Sequence, residues 1–171
     1  YFQALIGEPN EYRREILFHS ISDGRQTAID IPLPDDRSYE YLLITVSADG
    51  RYHLANRGFP VLQPVAILDS AQPNARWKPF ITDVEGSVVA HFVDNQLVAF
   101  TDVNATRGRI VSIPLSTTTP NDPSSWSELA PESEAVIRTV RPVGQYLYIT
   151  EIVDTYSQVR IVDLTGKSLG Y

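Results

Sequence analysis

Cysteine and methionine are both absent from the 171 residues. Without cysteine there is no disulfide framework, no thiolate-bound zinc or iron–sulfur cluster and no thiol nucleophile. The absence suits oxidising and reducing compartments alike, so it fixes no location. Basic blocks are missing too: Arg13-Arg14 is the one basic doublet, and the formal net charge is −7. Such a surface repels a polyanion on average, which argues against nucleic acid as a partner. Long apolar runs are lacking. The longest, Tyr41 to Val46, has the length of a buried strand and falls far short of the ~18 residues of a membrane span. No membrane partner is therefore expected. Helix signals are scarce: only Pro131-Glu132-Ser133-Glu134 resembles a first helical turn, and Pro142 limits what could follow.

What is present is strand. Hydrophobic residues make up 43% of the chain, too many for a disordered segment and enough for a continuous core. They fall in short runs rich in Val, Ile, Leu, Tyr, Phe and Thr, separated by Asp, Asn, Gly and Pro. The opening Tyr1-Phe2-Gln3-Ala4-Leu5 already reads as a strand. It carries no charged leader, and the sequence is expected to lie inside a longer protein.

The runs repeat. Asp49-Gly50, Asp94-Asn95 and Val143-Gly144 each sit between two strand-like runs, where a hairpin needs positive φ at low cost. Gly50 to Asn95 is 45 residues and Asn95 to Gly144 is 49. Trp77 and Trp126 are also 49 apart, as are Phe100-Thr101-Asp102-Val103 and Ile149-Thr150-Glu151-Ile152. Ile110 to Leu115 reappears as Arg160 to Leu164, with a weaker copy at Val65 to Asp69. A period of about 40–50 residues with four strands per unit marks the blades of a propeller. The competing explanation is chance likeness inside a two-sheet sandwich. The fold expected is all-β, three to four antiparallel four-stranded blades forming one partial propeller domain over 1–171. Its approximate units are 1–38, 39–76, 77–125 and 126–171.

These segments resemble a known family. Phe100-Thr101-Asp102-Val103-Asn104-Ala105-Thr106-Arg107-Gly108-Arg109-Ile110-Val111 is similar to the propeller strand pair of prolyl oligopeptidases. Trp126-Ser127-Glu128-Leu129-Ala130-Pro131-Glu132 resembles the Trp-x-x-Leu-x-Pro-Glu that opens the next blade. Asp154 and Val159 to Gly166 resemble that blade's last strand. Ser47-Ala48-Asp49-Gly50-Arg51-Tyr52 matches the family's hairpin, and Tyr1 to Gly7 the strand before it. The chain departs from the family at Gln3, where His is usual, at Arg13-Arg14, where an acid is usual, and across Asn56 to Pro64. The resemblance implies a middle portion of a seven-bladed propeller that caps an α/β-hydrolase domain holding the Ser-His-Asp triad.

Among candidate chemistry, Glu85-Gly86-Ser87-Val88 lacks the spacing of a nucleophile elbow and reads as a turn entering a strand. Thr165-Gly166-Lys167-Ser168 resembles the end of a phosphate loop, but Ile161 stands where that loop needs its first glycine. His19, His53 and His91 have no His, Asp or Glu at metal-ligand spacing. Asp35-Asp36, Asp94 and Asp122 neighbour turn residues and read as turn acids. Asn104-Ala105-Thr106 is a glycosylation sequon, which matters only in a secreted protein. Trp77 and Trp126 are either stacking platforms or packing residues, the latter being the commoner role. The chain is thus expected to hold no catalytic residue, no metal and no cofactor.

One site residue follows from the resemblance. In the family an Arg shortly after the Asp-Gly-Arg-Tyr strand reaches the substrate, and Arg57 is the nearest match, one residue out of register. An ordinary surface arginine is the competing reading. The function implied is a non-catalytic propeller segment of a cytoplasmic prolyl oligopeptidase-like serine peptidase, although a periplasmic or secreted location stays open. The segment would gate the access of short proline-containing peptides to a hydrolase domain outside this chain. The alternatives are a propeller scaffold that binds proteins or peptides with no catalytic domain, and a propeller enzyme acting on sugars or phosphoesters, which would need converging acids. A cut propeller exposes blade faces and strand edges, so the isolated chain is expected to self-associate.

Overall fold

In the computed structural model, residues 1–6, 13–32, 41–58 and 61–171 are described. Asp35-Asp36 and the side chains of Gln3, Arg13 and Arg14 lie outside them. The chain divides into two compact units, Tyr1–Thr82 and Asp83–Tyr171.

The first unit holds two sheets. One has three described strands in the order β1 (Phe2–Ile6), β2 (Arg13–His19) and β3 (Gln26–Ile29). The other is a four-stranded antiparallel meander of β4 (Leu42–Val46), β5 (Tyr52–Arg57), β6 (Gln63–Asp69) and β7 (Lys78–Pro79). Its first hairpin explains each residue of its turn. Gly50 takes the positive φ of +75°. The Asp49 carboxylate accepts from the Ser47 hydroxyl at 2.6 Å and the Arg51 amide at 3.1 Å, and the Ser47 hydroxyl accepts from the Tyr52 amide at 2.9 Å. Arg51 then forks across to β6, donating through Nε and Nη2 to both oxygens of Asp69 at 2.8 Å each. That fork holds the Asp69 carboxyl far below the usual range.

The second unit contains two four-stranded meanders. One runs β8 (Val88–Val93), β9 (Gln96–Thr101), β10 (Arg109–Pro114) and β11 (Ser127–Ala130). The other runs β12 (Val136–Val143), β13 (Tyr146–Val153), β14 (Tyr156–Asp163) and β15 (Ser168–Gly170). These are sheets of the kind that make propeller blades. The two pack face to face. Val93, Val98, Ile110, Leu129 and Ala130 on one side meet Ile137, Val140, Leu147, Ile149 and Val162 on the other, with Phe100 and Leu164 at the margin. Burying each of the larger aliphatics contributes about 1.5–3 kcal/mol.

Side-chain alternation tells the two sheets apart. Leu97, Val98 and Ala99 are all fully buried, so both faces of β9 are covered. On β13, Leu147, Ile149 and Glu151 are buried while Tyr146 and Tyr148 are exposed, so one face is covered and the other open. On β12, Pro142 lies in an edge strand of its sheet, where a missing N–H costs least.

No helix starts at Pro131-Glu132; the Glu132 carboxylate instead accepts from the Arg107 amide at 2.5 Å and the Thr106 hydroxyl at 3.2 Å, closing the β9–β10 loop. The unit limits at 76/77 and 125/126 fall just before β7 and β11, which pair with the strands preceding them. The segment after Trp126 therefore closes its sheet and does not open the next one. A repeat gives the length of a unit but not where it starts. Finally, Val93 faces Gln96 and Val143 faces Tyr146, so this hairpin recurs at 50 residues and Thr101 corresponds to Glu151.

Candidate functional site

Arg57 is the last residue of β5, opposite Leu42 on β4 and Gln63 on β6. It is half-buried. The strand end that carries it is pinned from both sides. Asn56, 4% exposed, donates from Nδ2 to the Leu43 and Leu54 carbonyls and the Thr45 hydroxyl. The Gly58 amide donates to the Tyr41 carbonyl at 3.0 Å. Arg57 thus sits at the far end of the sheet from the Asp49-Gly50 turn, at a fixed backbone position.

Each histidine has a different setting. His19 ends β2 and is exposed. His53 lies 2.7 Å from the Tyr1 hydroxyl through Nδ1 and 3.1 Å from the Gly50 carbonyl through Nε2. The carbonyl accepts only, so Nε2 donates and Nδ1 takes the tyrosyl proton. The His53 ring also stands edge-on to Tyr1 and to Trp77. His91 on β8 places Nε2 3.3 Å from Arg141 Nη1 on β12. None of these contacts is the Ser–His–carboxylate relay of a hydrolase. Among the described residues, no group of three His, Asp or Glu could hold a metal ion, and no helix is long and apolar enough to cross a membrane.

The acids are occupied with turns. Asp122 caps the 3-10 turn Pro123–Ser125, accepting from the Ser124 hydroxyl and amide. Asp163 accepts from the Thr165 hydroxyl and amide and the Lys167 amide. These hydrogen bonds, the side-chain ones first, hold both carboxyls below their ordinary value. Asp94 and Asn104 carry positive φ in turns. The Ser87 amide donates to Asp102, so Glu85-Gly86-Ser87 is a turn entering β8. Trp126 is buried and donates to the Pro120 carbonyl, a packing role, while Trp77 is half-buried.

Two side-chain pairs escape a reading by sequence spacing. Glu151 on β13 and Arg160 on β14 approach to 2.6 Å, with side chains 2% and 14% exposed. Gln158 donates to the other Glu151 oxygen at 3.0 Å. The second is His91 with Arg141, which are 50 residues apart. For this second pair the signal was the repeat itself: equivalent strands of neighbouring sheets bring residues one repeat apart together.

A family model described as prolyl oligopeptidase, N-terminal beta-propeller domain, matches residues 7–170. Among solved structures, a protein from a study of two prolyl endopeptidases and their inter-domain dynamics is similar at a TM-score of 0.77 and 24% identity, over 96% of this chain. Prolyl oligopeptidase B from Galerina marginata, bound to a 35mer hydrolysis and macrocyclization substrate, is similar at 0.73 and 13% identity, over 98% of this chain. The likeness spans 24% of each of those proteins. No curated protein sequence matches the chain.

Proposed function

This chain belongs to the prolyl oligopeptidase N-terminal β-propeller family, and from that premise we propose that it is the segment through which a cytoplasmic serine peptidase confines its substrates to short proline-containing peptides. Its sheets are consecutive blades of one partial propeller domain. The Ser, Asp and His of the triad belong to the parent's hydrolase domain, and the segment alone turns nothing over. The family match across residues 7–170 carries this reading. Arg57 serves as a substrate contact, its guanidinium bonding a peptide carbonyl or carboxylate.

The test is a fluorogenic Gly-Pro peptide offered to the full-length parent, with this chain as control. Turnover by the parent alone is expected, abolished by a serine-directed inhibitor and far slower on a long unfolded polypeptide carrying the same sequence. Arg57→Ala in the parent should lower kcat/KM by about 10–100-fold, mostly through KM, as loss of a charged hydrogen bond does. A parent with no turnover and no inhibitor-labelled serine would overturn the peptidase reading. An unchanged KM in Arg57→Ala would remove Arg57 alone.

The open face of the β12–β15 sheet carries Val143, Tyr146, Tyr148, Val159 and Leu169, all exposed. Apolar surface of that kind drives association. The isolated chain is expected to self-associate through it, with sedimentation coefficients rising with concentration and falling back in Val159→Glu. A clean monomer at high concentration would contradict this.

A further inference from the structure

His91 lies at a junction that its own sheet does not complete. It sits on β8 opposite Val98 of β9, and its half-buried ring faces β12 of the neighbouring sheet. There Nε2 lies 3.3 Å from Arg141 Nη1. A guanidinium is always protonated and has donors only. Nε2 must therefore offer its lone pair, and the ring proton must sit on Nδ1. A protonated ring would set N–H against N–H and cation against cation at the same distance. Closing the contact and protonating the ring exclude one another.

The surroundings give the charge no relief. The strand neighbours of His91 are Ala90 and Phe92, and across β9 it meets Val98 flanked by Leu97 and Ala99. On β12 the charged residues are Arg141 and Arg138, both positive. Among the described residues no carboxylate pairs with either partner. Burial and then Arg141 hold the imidazole below its ordinary 6.5, against a smaller upward pull from Val140.

We propose that His91 and Arg141 form an acid-released contact between the first strands of two neighbouring sheets, closed while the imidazole is neutral and open once it takes a proton. The proton comes from solvent, Arg141 keeps its charge, and water replaces the lost partner on each side. Because the folded ring binds its proton less readily than the unfolded one, the contact's stabilisation is full above about pH 6.5 and is lost as pH falls below it. The contact belongs to this pair of sheets and would hold whether or not the parent is a peptidase.

The test uses the 171-residue chain, with ring resonances of the three histidines followed by NMR and assigned through His91→Gln. His91 should titrate below the ordinary imidazole value, and Arg141→Gln should move it upward. Amide exchange over residues 88–93 and 136–143, corrected for intrinsic rates, should accelerate about tenfold between pH 7.5 and 5.5 in the wild type and stay flat in Arg141→Gln. His91 titrating at or above the ordinary imidazole value and unmoved by Arg141→Gln would overturn the proposal, as would exchange equally pH-dependent in both proteins. Arg141 is exposed, so its variant should fold even if the His91 variant does not.

Discussion

Gly166→Ala should destabilise the chain by about 3 kcal/mol or more, whereas Gly144→Ala should cost about 1–2 kcal/mol. Both glycines carry positive φ, +87° and +58°, so both variants meet the same backbone penalty. The difference lies in what a Cβ would touch. At Gly144 nothing stands within 4 Å. At Gly166 a Cβ would fall 2.4 Å from the Leu129 carbonyl oxygen and 3.2 Å from its Cα. Leu129 is on β11 of the neighbouring sheet, so the obstacle is backbone and no rotamer change removes it. The turn cannot move away either, because Asp163 ties it through the Thr165 and Lys167 amides. Urea unfolding of the two variants measures the contrast, and equal losses would show that the close approach does not limit the packing. The phosphate-loop look of Thr165 to Ser168 thus has another cause. Its glycine is there for a neighbouring backbone.

The second large effect concerns the ion pair between Glu151 and Arg160. Arg160→Met leaves a carboxylate 2% exposed with only Gln158 donating to it, and should cost about 3–5 kcal/mol. Glu151→Leu should cost less, because Arg160 is 14% exposed and its long stem can carry the charge toward water. The double variant should return to within about 1 kcal/mol of the wild type, since an apolar pair avoids desolvating two charges. A double-variant cycle by thermal or urea unfolding reads all three. If the losses simply add, the pair is not coupled and the account fails. The equivalent position in the neighbouring sheet is Thr101, also fully buried, whose hydroxyl accepts from the Val103 amide. One repeat position is therefore filled by a local hydrogen bond in one sheet and by a charge pair in the other.

Much of the strand pattern was legible because it is local. The turns at Asp49-Gly50, Asp94-Asn95 and Gly144 announce themselves by residues that tolerate positive φ, and each joins paired strands. The phase of the repeat was not legible. Trp77 and Trp126 mark equivalent points, but no local property says that the strands after them turn back onto the preceding sheet. Side-chain partners were harder still. Arg57 could be placed on its strand from the hairpin motif. By contrast, His91 looks isolated because its partner stands 50 residues on, and Glu151 meets Arg160 only after β13 and β14 pair.

The meander order has a consequence in time. Every described sheet is built from strands that follow one another along the chain. As a nascent chain leaves the ribosome, each sheet has all its strands after a few dozen residues and need not wait for a distant segment. Loop closure is correspondingly short-range, which favours fast folding for an all-β protein. The hazard moves to the newest sheet, whose outer face and first-strand edge stay bare until the next sheet is synthesised. On β12 that edge carries Arg138, Arg141 and Pro142, residues that discourage a stray strand from another chain. Synthesis can pause there with less risk of mispairing.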